Sequence, residues 1–190
     1  MTFEQLAAIT GSTSANALKY IEPLKAAMAL FDISNTRRKA AFLATIAVES
    51  MKLSKVEEDL YYKDPARLAQ IYKRAFSSAA EAAPFARNPK GLSEKLYQGY
   101  HGRGLIQLTW LKNYEAAGKA LGKPYVAQPE MLLEPTHAAL SACWFWNANG
   151  CNTAADKGDM TGVTRIVNGP ALMHLAERKK VFDEAMKVLA

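Results

Sequence analysis

A mainly α-helical domain is what this sequence predicts, on three observations. Apolar residues recur at helical spacing in the central stretch Ala40–Tyr62 and again close to the C-terminus. Helix-capping residues punctuate the chain at short intervals. Runs with the two-residue alternation of a half-buried strand are nearly absent. With 190 residues, 49% hydrophobic and 22% charged, the chain is long enough for a good core and ordinary in composition. Residues 1–190 therefore read as a single domain without repeat, linker or low-complexity segment.

The elements follow in order. Thr2 and Gln5 fit a capping box that opens a short helix to about Ile9, and GSTS is a turn. Ser14 to Phe31 is helical in pattern, with Pro23 either kinking it or starting a second helix. Asn35 or Thr36 can cap the central helix, expected to run to about Met51. Asp64 as N-cap and Pro65 in the first turn predict a helix over Ala66–Ala75. Ser78 with Glu81 suggests a capping box before Pro84, and Asn88-Pro89 restarts a helix to about Tyr97. Leu105–Leu108 reads as a short extended piece, and Thr109 as the cap of a helix ending at Gly122. Pro135–Asn149 reads as a buried helix carrying Trp144, Phe145 and Trp146. Asp159 caps a short helix to about Asn168, and a final helix starts near Ala171.

Composition narrows the function classes. The longest apolar run, AAFLATIAV, is too short to span a bilayer. The start, MTFEQLAAITGS, lacks the charged and apolar regions of a secretory signal, so synthesis in a cytoplasm is expected. Cys143 and Cys151 lie eight apart with no His neighbour, which fits two free buried thiols better than a zinc site. A net charge of +6 favours polyanionic surroundings: nucleic acid, anionic lipid or a charged wall polymer. The cations are scattered (Arg37-Arg38-Lys39, Lys73-Arg74, Arg178-Lys179-Lys180), which argues against a dedicated nucleic-acid surface.

Two residues sit where their chemistry is costly. Phe42, Ile46 and Leu53 share one helical face, and Glu49 falls into that row. Burial and the helix C-terminus both disfavour its charged form, as a general acid requires. Three acids follow at once, Glu57, Glu58 and Asp59, so a sheltered acid is succeeded by exposed carboxylates, the raw material of a glycosidase pair. In the last helix Arg178 lies within the stripe Leu172, Leu175, Phe182, Met186, Leu189. It either snorkels to solvent or pairs with a buried carboxylate, with Glu49 the candidate. The glycine-rich QGYHGRGLIQLTW matches neither a phosphate loop nor a dinucleotide fingerprint. Its glycines permit close backbone approach, and Gln107, Thr109 and Asn113 could hydrogen-bond a sugar or position a water.

Together these pieces resemble a known family. AAFLATIAVES followed by EEDLYY, then GRGLIQLTWLKNY, then TRIVNGP and an Arg-bearing terminal helix look like the family 19 glycoside hydrolases, most of all their single-domain bacteriophage endolysins. The resemblance covers nearly the whole chain, and the four motifs in this order are specific. It implies a lysozyme-like helical fold with two lobes around a substrate cleft, and inverting hydrolysis of β-1,4 bonds to N-acetylhexosamine. It implies Glu49 as general acid, Glu58 rather than Glu57 or Asp59 as general base, and Thr109 as holder of the nucleophilic water. Gln107, Asn113 and Asn168 match substrate-binding positions, and Arg178 the Arg that pairs with the acid. No metal or other cofactor is implied.

Three departures stand out. Val48 replaces the His that usually precedes the acid, Pro170 replaces a Gly after the Asn, and Leu105 replaces the Pro of GRGPIQL. None removes an assigned catalytic group. The expectation is an endolysin that acts on peptidoglycan glycan strands, as a monomer without a separate wall-binding module or nucleic-acid partner. It would leave the host cytoplasm through a holin, work in the periplasm and touch the anionic outer membrane weakly. The rivals are a chitinase using the same residues, a lytic transglycosylase needing one acid, and a wall-binding protein without catalysis.

Overall fold

A computed structural model describes residues 1–190, and it is helical throughout apart from isolated bridges that join Glu57, Arg103 and Leu108. Eleven helices follow one another: α1 (Phe3–Thr10), α2 (Ser14–Leu30), α3 (Thr36–Glu49), α4 (Pro65–Ile71), α5 (Ala79–Ala82), α6 (Pro89–Tyr97), α7 (Leu111–Leu121), α8 (Pro135–Ala148), α9 (Cys151–Asp156), α10 (Met160–Asn168) and α11 (Leu175–Val188). The caps explain most boundaries. Thr2 and Gln5 close a reciprocal box on α1, Asn35 accepts from the Arg38 amide, and Asp64, Asn88 and Asp159 each accept from a first-turn amide. Gly122 ends α7 in the left-handed conformation, where a residue without Cβ is least strained.

The centre is α3, whose residues Ala40 to Ala47 are all buried. α11 packs along it, α2 packs on α8, and α1 covers α2. This main core takes in Leu6, Leu24, Phe42, Ile46, Leu105 and Trp146, with Phe42 and Trp146 meeting edge-on at 5.4 Å. A smaller lobe holds two apolar clusters, one around Leu68 and Phe76, the other around Tyr114 and Tyr125. The start of α3 is pinned by Arg38, which grips Asp156 with two bonds of 2.8 and 2.6 Å. That guanidinium pulls the Asp156 carboxyl down to about 2. Cys143 and Cys151 are free and buried, and burial pushes both thiols up, Cys151 to about 12.

Several sequence expectations are corrected. Pro23 lies inside one uninterrupted α2. α4 stops at Ile71 rather than Ala75, and α11 begins at Leu175 after a 3₁₀ turn, Gly169–Ala171. Glu81 does not complete a box with Ser78; its carboxylate accepts from the Ser77 amide and hydroxyl instead. Leu105–Leu108 is a turn closed by reciprocal Arg103–Leu108 bonds, not an extended piece. Thr109 does not cap α7, because the helix begins at Leu111 and Trp110 occupies the cap position without a side-chain bond; the Thr109 hydroxyl donates to the Gln107 carbonyl at 2.8 Å.

The largest correction concerns the end of α3. The helix stops at Glu49, and Met51, Lys52 and Leu53 then run consecutively at φ 47, 61 and 61°. Leu53 is buried as its spacing suggested, but it reaches the core through a left-handed turn. Each such residue costs about 1–2 kcal/mol unless its surroundings hold it. Buried Ser50 does so: its hydroxyl accepts from the Leu53 amide at 3.0 Å, and its carbonyl accepts from Ser54 and Lys55. Lys52 is exposed, so Lys52→Gly relieves strain without emptying space. We expect that variant to be more stable by about 0.5–1 kcal/mol in urea unfolding; a loss of stability would contradict the strain.

Candidate active site

The end of α3 carries the first half of the site. Glu49 is 16% exposed at its side chain, while the Arg178 side chain on α11 is 1% exposed. Arg178 Nη2 donates to Glu49 Oε1, and Nη1 reaches the Thr45 carbonyl at 3.5 Å. The arginine therefore does not snorkel to solvent. Asn168, the last residue of α10, donates its amide to the same Oε1 at 3.1 Å. Both donors converge on one oxygen, which leaves Oε2 as the oxygen that bears a proton when the group is neutral.

The second half joins Glu58, on the chain between α3 and α4, to the loop between α6 and α7. The Glu58 carboxylate accepts at Oε1 from the Tyr97 hydroxyl, 2.8 Å, and at Oε2 from the Gly102 amide, 3.1 Å. The Glu58 amide donates in turn to the Gly102 carbonyl at 2.8 Å. Burial, and then the bond to Glu58, push the Tyr97 phenol up, so it stays a donor. Gly102 is the hub of this half. A Cβ there would stand 2.9 Å from Gln107 Oε1 and 3.3 Å from Thr109 Oγ1. A side chain there would push the Gln107 amide aside and crowd the Thr109 hydroxyl. The Thr109 hydroxyl donates a hydrogen bond to the Gln107 carbonyl, and its oxygen keeps lone pairs that can accept from a water. Gln107 donates to the Gly104 carbonyl and Asn113 to the Thr109 carbonyl, so both amides are oriented with their oxygens to spare.

A pocket of about 120 Å³ lined by Gln107, Thr109, Asn113, Phe145 and Val167 lies between this loop and α10. Val167 is the neighbour of Asn168, where the Glu49 cluster begins. A wider cavity of about 830 Å³ runs past Glu57, Glu58 and Asp59 toward His101 and Tyr100, and Glu49 does not line it. No group of three or more His, Cys, Asp or Glu is placed to hold a metal ion.

Residues that sequence reasoning passed over brace the base loop. Glu57, which is not the acid tied to Gly102, accepts from His101 Nε2 at 3.0 Å and pairs with Arg103 at 3.4 Å. His101 Nδ1 meets Ser93 Oγ at 2.6 Å. Arg103 also donates to the Gly99 carbonyl and the Tyr114 hydroxyl, which closes on the His101 carbonyl. The glycines of QGYHGRG signalled close approach; nothing in the spacing signalled Tyr97 or this His–Glu–Arg brace.

Burial lowers the His101 pKa below 6.5, outweighing the opposing pull of Glu57, while Arg103 adds to the lowering. The folded state thus binds this proton less readily than the unfolded chain. Its contribution to stability is complete above about pH 6.5 and declines as pH falls through the folded value. Thermal melts of His101→Gln are expected to show a shallower loss on acidification than the parent protein. Parallel curves would discard the burial argument.

Comparison with known proteins gives this geometry a context. The chitinase class I model of glycoside hydrolase family 19 matches residues 26–166. A glycosyl hydrolase family 19 domain-containing protein of Haemophilus influenzae is 29% identical over 167 residues, covering 80% of each chain. An endochitinase of Arabidopsis thaliana is 53% identical over 73 residues, which is 38% of this chain and 25% of that protein. The chain thus spans about a quarter of the length of the plant relatives matched in this way. Among solved structures, chitinase C of Streptomyces griseus HUT6037 aligns at TM-score 0.67 and 25% identity, over 99% of this chain and 76% of that one. A further bacterial family 19 chitinase, at TM-score 0.65 and 21% identity over 100% of this chain and 94% of the other, shares the fold. With its helical two-lobed architecture and a family match over most of its length, the chain belongs to glycoside hydrolase family 19.

Proposed function

We propose that the protein is an endolysin that hydrolyses β-1,4 glycosidic bonds of bacterial peptidoglycan with inversion, in a single catalytic domain. The observation that carries this reading is the asymmetry of Glu49, whose Oε1 is occupied by Arg178 and Asn168 while Oε2 has no protein partner. Glu49 delivers its Oε2 proton to the leaving glycosidic oxygen. A water accepted by Thr109 Oγ1 gives a proton to Glu58 and attacks the anomeric carbon from the opposite face. The new C–O bond forms as the glycosidic bond breaks. Glu58, held at both oxygens by Tyr97 and Gly102, is fixed in orientation before substrate arrives. Inversion requires the two carboxyls about 6.5–9.5 Å apart, room for one water. Gln107, Asn113 and Asn168 hold the glycan, and no metal enters the scheme.

The biological setting belongs to the same proposal: a monomer made in a phage-infected host, released through a holin, and acting in the periplasm on the wall. The +6 charge suits an anionic wall and weak contact with an anionic outer membrane. A second reading, a chitinase with the same mechanism, is favoured by the relatives named as endochitinases. Mass spectrometry of products from purified Gram-negative peptidoglycan, with chitin oligomers in parallel, separates the readings. Hydrated reducing ends from peptidoglycan are the expected result. Anhydro ends would replace hydrolysis by a transglycosylase, and cleavage of chitin alone would remove the endolysin role.

A further inference from the structure

Beside the Tyr72 and Trp110 rings lies a groove the scheme above does not use. It has a volume of about 630 Å³ and runs between the chain that follows α4 and the C-terminal half of α6. Tyr72, Leu96 and Trp110 supply its apolar surface, and Lys73, Arg74 and Lys95 its charge. No acid lines it, whereas the cavity beside Glu58 holds Glu57, Glu58, Asp59 and Glu94. None of the three cations forms an ion pair. The acid that feels Lys95, Glu81, is already engaged by Ser77.

The tryptophan is held in place at a cost. Trp110 has φ 76° and ψ 139°, a backbone region almost reserved for glycine. Its amide donates to the Tyr100 carbonyl at 2.8 Å, and its carbonyl accepts from the Asn113 amide at 2.9 Å, which fixes the conformation. The result is an indole 50% exposed, stacked at a tilt on Tyr97 with ring centres 5.0 Å apart. Tyr97 is the residue whose hydroxyl holds Glu58. A ligand on the indole therefore rests on the ring that packs against Tyr97, one residue from Thr109.

We propose that this groove is an accessory subsite for a carboxylate-bearing glycan strand. A pyranose lies with its C–H face on Trp110, and carboxylates of the peptide substituents, or of a lactyl group that carries no peptide, reach Lys73, Arg74 and Lys95. The chemistry favours an anionic strand over a neutral one. A flat, amphipathic indole suits a sugar face, and unpaired cations, one of them a planar guanidinium, suit carboxylates. Chitin carries no carboxylate and gains nothing from the three cations, so the groove selects between the two polymers that the catalytic residues do not distinguish. The inference rests on the peptidoglycan reading and deepens it.

The test uses the full chain with Lys73→Gln, Arg74→Gln and Lys95→Gln combined, all three at exposed positions. Steady-state turnover is measured on purified peptidoglycan and on the same material with its carboxyl groups amidated. Losing three screened charge contacts should raise KM about tenfold on native peptidoglycan at low salt, with kcat little changed. Carboxyl amidation should abolish the difference between the variant and its parent. A native-peptidoglycan KM that does not move, or an equal rise on the amidated polymer, overturns the subsite while leaving the hydrolase in place. Peptidoglycan left uncut by the parent protein overturns the functional reading itself, and the subsite with it. Binding of both proteins to anionic lipid vesicles is followed in parallel. Parent affinity for vesicles that exceeds that for peptidoglycan and is lost in the variant would reassign the groove to lipid.

Discussion

Glu49→Gln is expected to lower kcat on peptidoglycan by about 10²–10⁴-fold while the protein stays folded. The amide is isosteric and cannot give a proton. Its oxygen can still accept from Arg178 and Asn168, so the buried guanidinium keeps a partner. A circular-dichroism melt close to that of the parent would confirm that the loss is chemical. Glu58→Gln should cost a comparable factor, because water then meets no base, and its bonds from Tyr97 and Gly102 need only an acceptor. The two results together discriminate among mechanisms. If Glu58→Gln left turnover nearly unchanged, a single-acid route of the transglycosylase type would be correct. If the parent showed no turnover and Glu49→Gln bound peptidoglycan as tightly as the parent does, the protein would be a binder without catalysis.

Arg178→Ala should be the most damaging substitution for folding. The side chain is fully buried between α11 and α3, and its removal leaves a carboxylate near the core with one remaining donor, Asn168. Removing one partner of a buried pair costs about 3–5 kcal/mol. For a chain of this size that is a fall of roughly 6–20 °C in melting temperature. Activity should fall as well, since Glu49 loses the contact that fixes its rotamer. Arg178→Lys separates the two effects: it restores charge but not the fork, so stability should recover more than turnover. A melting temperature unchanged in Arg178→Ala would refute the pairing as a source of stability.

Much of the fold was legible because its signals are local. A cap is a side chain bonding an amide two or three residues away, and Thr2, Asp64, Asn88 and Asp159 all announced helices by that chemistry. Arg178 and Glu49 were legible for a different reason: each interrupts an apolar stripe, and a charge in such a place needs a partner. What stayed hidden is path rather than burial. Leu53 continued the helical row and is buried, yet helical spacing cannot distinguish a fourth turn of helix from a left-handed reversal. Thr109 had the composition of a cap, but the strained Trp110 moves the start of α7 one residue further on, and the Thr109 hydroxyl donates to the Gln107 carbonyl instead. Tyr97, His101 and Trp110 gained their roles only when α6 and the glycine loop folded against each other, across separations that no periodicity encodes. The roles assigned to Glu58, Gln107, Asn113 and Asn168 came from resemblance; spacing alone left Glu57, Glu58 and Asp59 equivalent.

The contact between Glu49 and Arg178 spans 129 positions of sequence. During translation, α3 leaves the ribosome long before the helix that carries its guanidinium has been made. Until then the end of α3 is an acid without its guanidinium, beside the apolar surface on which α11 packs. Chains arrested upstream of α11 would hold the proposed acid without the residue that orients it. In the proposed scheme, catalytic competence therefore waits for α11, the element that orients the acid.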